Sequence, residues 1–181
     1  MTDLPIQMPL DLKHASSMAR ADFFVSSSNQ NALAWIDKWP NWQAPALVIY
    51  GPPCAGKTHL RHIWQTRTGA QYIACRDLEP ERIGDLYEQN THIAIDPLDM
   101  IIGHNKAEQA LFHLYNLVKN EGGSILICAE HAPSDWKISL PDLASRLKSC
   151  PMQAIEHPDD MLMEIALVKL FSDRQLSVSP D

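Results

Sequence analysis

Cysteine is scarce in this chain and basic charge is outweighed. Its four cysteines (Cys54, Cys75, Cys128 and Cys150) are widely spaced and form no C-x-x-C pair. That spacing argues against a disulfide scaffold or a zinc site and in favour of reduced thiols. Lysine and arginine number 15 against 22 aspartates and glutamates, a formal net charge of -7, so the footprint of generic DNA or anionic-membrane binding is missing. No apolar run approaches the roughly 20 residues that cross a bilayer, and the N-terminus lacks a basic region followed by an apolar stretch. A cytoplasmic location is expected. What is present is 181 residues, 45% of them hydrophobic, enough for one α/β domain with a proper core.

Within that domain, Gly51, Pro52, Pro53, Cys54, Ala55, Gly56, Lys57 and Thr58 satisfy every fixed position of G-x-x-x-x-G-K-[ST], directly after the apolar run Ala46, Leu47, Val48, Ile49, Tyr50. This is a phosphate-binding loop in its strand-then-helix setting. Its glycines let successive backbone N–H groups point inward at phosphate oxygens, and the following helix adds its positive dipole end. Lys57 is suited to reach the β- and γ-phosphates, Thr58 to offer Mg²⁺ a hydroxyl, and His59 to flank the loop. A second apolar run, Thr91 to Ile95, delivers Asp96 to a strand end, where a carboxylate holds the metal or its water. The next position, where a second acid would orient the attacking water, is Pro97. Asp99 is the nearest remaining carboxylate for that role, so self-catalysed hydrolysis is expected to be slow or absent.

The rest of the chain alternates strand and helix patterns. Residues 1–20 read as a tail, interrupted by Pro5 and Pro9. Helices are expected over 29–38, after the phosphate loop up to Gly69, over 79–88, over 106–120, over 141–148, and from 158 through 171. Strands are expected over 46–50, at 72–75 as a buried strand, over 91–96, over 125–128 and over 152–156. Trp35, Trp39 and Trp42 read as core or edge packing, and Cys128 as a small buried side chain. Such alternation implies a mainly parallel five-stranded sheet covered on both faces, a three-layer sandwich.

Several separated segments, in order, resemble the nucleotide-binding domain of the replication initiator DnaA in the AAA+ superfamily, and more closely its regulatory relatives of the Hda family. Phe24, Val25 and Asn29 resemble the family's F-V-x-x-x-[SN]-N entry motif, which implies packing against adenine. Asp96, Pro97, Leu98 and Asp99 occupy the place of the Hda acid-x-hydrophobic-acid run. The run from Leu140 to Leu147 is similar to the segment bearing the arginine finger, which makes Arg146 a finger acting on a neighbour's nucleotide. After the fourth strand the family carries a polar sensor; Glu130 keeps an acid there, whereas His131 replaces a permanent cation. Gln7, Leu10 and Leu12 resemble the Q-x-x-L-x-[LF] peptide that enters the pocket of the DNA polymerase sliding clamp.

Only residues 76–91 separate the second and third strands, so the initiator's single-strand DNA insertion is expected to be missing, and no helix-turn-helix is expected after the core. These features favour the regulator over the initiator, with no direct sequence-specific DNA binding and no membrane partner. The expected organisation is a tail with the clamp motif (1–20), an AAA+ core (21–157) and the start of an incomplete helical lid (158–181), with Arg174 near its end. The resemblance implies ADP or ATP with Mg²⁺ as cofactors, the initiator and the sliding clamp as partners, and a homo-oligomer as a further option. It implies stimulation of the initiator's ATP hydrolysis in trans, hence negative regulation of replication initiation. An autonomous small P-loop ATPase or kinase and a nucleotide-independent adaptor are the alternatives.

Overall fold

The computed structural model describes residues 18–173. Its centre is a sheet of β1 (Ala46–Tyr50), β2 (Gln71–Ile73), β3 (His92–Ile95), β4 (Ser124–Ala129) and β5 (Met152–Ala154), in the order β2-β3-β4-β1-β5 with every neighbouring pair parallel. Parallel strands need crossovers, and α2 (Lys57–Thr68), α3 (Ile83–Gln89), α4 (Asn105–Glu121) and α5 (Pro141–Lys148) supply them, while α1 (Gln30–Asp37) precedes β1 and α6 (Asp160–Asp173) follows β5.

The central strands β1, β3 and β4 read as nearly continuous apolar runs because both faces are covered. In β1, Ala46 and Val48 join a cluster with Leu111, Leu114 and Val118 of α4 and Leu143 and Leu147 of α5. Leu47 and Ile49 point the other way, to Leu33 and Ile36 of α1 and Leu60, Ile63 and Trp64 of α2. The three-layer sandwich expected from the sequence is therefore present. The tryptophans line the second cluster: Trp42 stacks on Trp64 at 5.5 Å, and its indole N–H donates to the Trp35 carbonyl at 2.8 Å.

Two expectations need correction. Residues 72–75 are not a buried strand; β2 is an edge strand, Tyr72 is 43% exposed, and Cys75 begins a 3-10 turn. The helix expected over 79–88 divides into a 3-10 turn at Pro80–Arg82 and α3. By contrast, α5 spans the expected 141–148. Helix α6 is apolar yet open to solvent, with Met161, Leu167 and Val168 each more than half exposed.

Candidate functional site

The sheet order determines the site. The loops after β1 and β3 emerge on either side of β4, at the carboxyl ends of the strands, where open α/β sheets bind ligands. Between them β4 offers Cys128, fully buried, with Sγ 3.9 Å from the Lys57 carbonyl oxygen. A side chain this small lets the first turn of α2 lie directly over the strand.

The phosphate loop is tied down at its start. The Gly51 N–H donates to the Ala129 carbonyl at 3.2 Å, and a Cβ built on Gly51 would lie 2.0 Å from the Ile155 carbonyl oxygen, so only glycine fits between the two strands. Gly56 (φ 104°) turns the chain into α2, and Cys54 is also left-handed (φ 61°). Lys57 is buried, and its Nζ donates to the carbonyls of Gly51 and Pro52, each at 2.7 Å. The ammonium thus occupies the hollow of its own loop, on acceptors it would exchange for phosphate oxygens. Pro53 and Cys54 are exposed at the tip.

Asp96 follows β3 and meets α2. Its Oδ2 accepts the Thr58 hydroxyl at 3.3 Å and the Arg61 Nε–H at 3.2 Å. A hydroxyl and a carboxylate from separate elements, brought this close, are the hard oxygen donors that Mg²⁺ takes alongside phosphate and water, so the residues fit that ion. Among the described residues no group of three or more His, Cys, Asp and Glu could hold a metal ion. Two thiols feel this carboxylate. Burial first, then Asp96 and Asp99, push the Cys75 thiol up to about 12, and burial raises Cys128.

Asp99 is not free to orient water. Its carboxylate accepts the N–H of Glu130 at 2.6 Å, the N–H of His131 at 3.2 Å and the His131 ring Nδ1 at 2.8 Å. Burial alone would raise the Asp99 carboxyl; these donors override it and hold it below its ordinary value. The same bond raises His131, which stands in solvent. Asp99 therefore anchors the turn after β4, while the Glu130 side chain is exposed.

Beside the loop lies a cavity of about 470 Å³, walled by Phe23, Phe24 and Asn29, by Cys54, Ala55, Gly56 and His59, and by Leu162, Met163, Ala166 and Lys169 of α6. The Asn29 side chain explains its spacing from Phe24: Nδ2 donates to the Phe24 carbonyl at 2.9 Å and Oδ1 accepts the Ser26 N–H at 3.0 Å, closing the turn that presents the ring. The Phe23 ring meets His59 edge-on at 5.1 Å, and an ion pair between Lys169 and Asp22 links α6 to this segment. Val25 is 57% exposed and outside the wall, so the second aromatic contributor is Phe23. The adjacent Phe23 and Phe24 were the available sequence signal. Arg61 was also missed; a cation among the buried positions of α2 was its signal.

Arg146 lies apart from the cavity wall. It projects from α5 with its guanidinium 4.9 Å from the Phe112 ring centroid and 5.6 Å from that of Tyr115. Gln7, Leu10, Leu12 and Arg174 lie outside the described residues.

No protein-family model matches the chain. It is 31% identical over 156 residues to an uncharacterized protein of Haemophilus influenzae, covering 78% of this chain and 64% of that one. It is 25% identical over 148 residues to the chromosomal replication initiator protein DnaA of Cereibacter sphaeroides, covering 70% of this chain and 32% of the initiator. The chain thus spans about a third of the length of that initiator. Among solved structures, a DNA replication initiation factor superposes with a TM-score of 0.78 at 16% identity, over 88% of this chain and 55% of that one. AMPPCP-bound DnaA from Aquifex aeolicus gives 0.72 at 18% identity, over 87% and 55%. The phosphate loop and the parallel sheet thus accompany sequence homology to the chromosomal replication initiator protein DnaA, whose solved structures share this fold.

Proposed function

We propose that this chain is an Hda-type regulator of replication initiation, which holds ADP or ATP as an interface-shaping ligand and acts in trans on ATP bound to the initiator. The observation that carries the reading is the division between two places on the molecule. The phosphate loop lines a cavity with an aromatic wall, suited to adenine, and runs on into Thr58, which bonds Asp96, whereas Arg146 stands outside that cavity on α5. A guanidinium so placed serves a neighbour's γ-phosphate better than its own.

Lys57 would hold the phosphates, Thr58 and Asp96 the Mg²⁺, and Phe24 the base, in a turn set by Asn29. Bound Mg²⁺ would supply charge neutralisation at the phosphates. Intrinsic turnover is expected to be weak, because Pro97 replaces the second acid and Asp99 is committed to Glu130 and His131. Gln7, Leu10 and Leu12 would dock the chain on the sliding clamp in the cytoplasm.

The test is the initiator's ATPase rate with DNA-loaded clamp, with and without this chain. Stimulation by the wild type and its loss in Gln7→Ala support the reading. Equal stimulation by Gln7→Ala removes the clamp from it, and turnover by the isolated chain at the stimulated rate favours an autonomous ATPase instead.

A further inference from the structure

In a phosphate-loop protein the strand-end carboxylate ordinarily holds Mg²⁺, which bridges and neutralises the phosphates. Here a cation is already at that carboxylate. Arg61 Nε donates to Asp96 Oδ2 at 3.2 Å, the oxygen that also accepts the Thr58 hydroxyl, and the two ionic side chains are only 9% and 13% exposed. Arg61 lies one helical turn beyond Lys57, on the same side of α2.

The guanidinium is held from its other sides as well. Nη1 donates to Gln65 Oε1 at 2.5 Å, and Cζ lies 4.2 Å from the centre of the Tyr72 ring. Tyr72 in turn donates its hydroxyl to the Asp96 backbone carbonyl at 3.0 Å, so the ring links the cation to the backbone of the residue that bears the carboxylate. This explains why an edge-strand tyrosine is useful where the sequence suggested a buried one.

We propose that Arg61 is a resident counter-cation of Asp96, so that the site takes up a nucleoside diphosphate with little dependence on Mg²⁺. The inference rests on the nucleotide-binding reading above and deepens it. A guanidinium keeps its charge at any working pH, and in a poorly exposed pair that charge is weakly screened. It offsets the carboxylate before nucleotide arrives. A divalent ion entering beside it meets like charge and gains less from Asp96 than it would at a bare carboxylate.

The experiment is calorimetric titration of the full chain with ADP, once with MgCl₂ and once with EDTA. It is repeated for Arg61→Gln, which removes the charge, and Arg61→Lys, which keeps it. For the wild type, the dissociation constant should change by less than about threefold between buffers, whereas for Arg61→Gln binding in EDTA should weaken by about tenfold or more relative to Mg²⁺. Arg61→Lys should fall nearer the wild type. A wild-type loss of about tenfold or more in EDTA overturns the proposal, as does a Gln variant with the wild-type ratio. If Arg61→Gln proves unfolded in a thermal melt, the wild-type and Lys ratios decide alone. Absence of ADP binding in both buffers is a different pattern: it overturns the nucleotide reading, and this inference with it.

Discussion

The Glu108 carboxylate accepts the Leu140 backbone N–H at 2.9 Å, joining the first turn of α4 to the residue that precedes α5. It also accepts the N–H groups of Ser139 (2.9 Å to Oε2) and Gly103 (2.8 Å to Oε1), and is 1% exposed. One buried carboxylate thus fixes the helix that carries Arg146.

Glu108→Ala leaves three backbone donors without that acceptor, and should cost about 3 kcal/mol of stability by urea denaturation. Glu108→Gln keeps one acceptor oxygen and should cost about 1 to 2 kcal/mol. An Ala variant within a few tenths of a kcal/mol of the wild type would show that water replaces the carboxylate.

Gly51→Ala should destabilise by about 3 kcal/mol, because its Cβ would meet the Ile155 carbonyl at 2.0 Å and neither strand can yield without breaking the β1–β5 pairing. Thermal melting checks it; an unchanged midpoint would mean that β5 moves freely.

The Asp99–His131 pair should leave a mark on stability against pH. His131 is raised above 6.5 in the fold, so its contribution is complete below 6.5 and fades as pH rises through the folded value. Asp99 is held below 3.8, so its contribution is present above 3.8 and lost as pH falls through the lower folded value. The melting-temperature difference between wild type and His131→Gln should therefore be positive at about pH 5.5 and shrink towards alkaline pH. A difference that grows with pH would contradict the assignment.

Iodoacetamide applied to the folded chain at about pH 8 should label Cys54 first, because it stands exposed in the phosphate loop while burial pushes Cys75 to about 12 and raises Cys128 and Cys150. ADP should slow the reaction, since Cys54 lines the cavity. Peptide mapping that found Cys75 labelled as fast would contradict the burial described.

The phosphate loop, Asp96 and the parallel sheet were legible because each depends on short-range pattern: an apolar run, fixed glycines, a strand-end acid. Helix α5 was legible to the residue, since Pro141 sets its first turn and Leu143 and Leu147 its buried face. The exposure of Tyr72 was not, because whether a strand is central or at an edge depends on strand order, which no local window contains. Arg61 was illegible as a partner of Asp96 for a similar reason: 35 residues and a sheet crossover separate them. Asp99 was read as a water-positioning acid because it is the nearest carboxylate after Pro97, yet donors from the turn after β4 occupy it, and only the packing of β3 on β4 brings that turn within reach.

The most direct measurement loads the initiator with labelled ATP, adds DNA-loaded clamp and this chain, and follows conversion to ADP in a single turnover, comparing wild type with Arg146→Ala. The trans-acting reading predicts that wild type accelerates conversion and that Arg146→Ala loses the acceleration by about a thousandfold or down to the unstimulated rate. Equal acceleration by both proteins would contradict it.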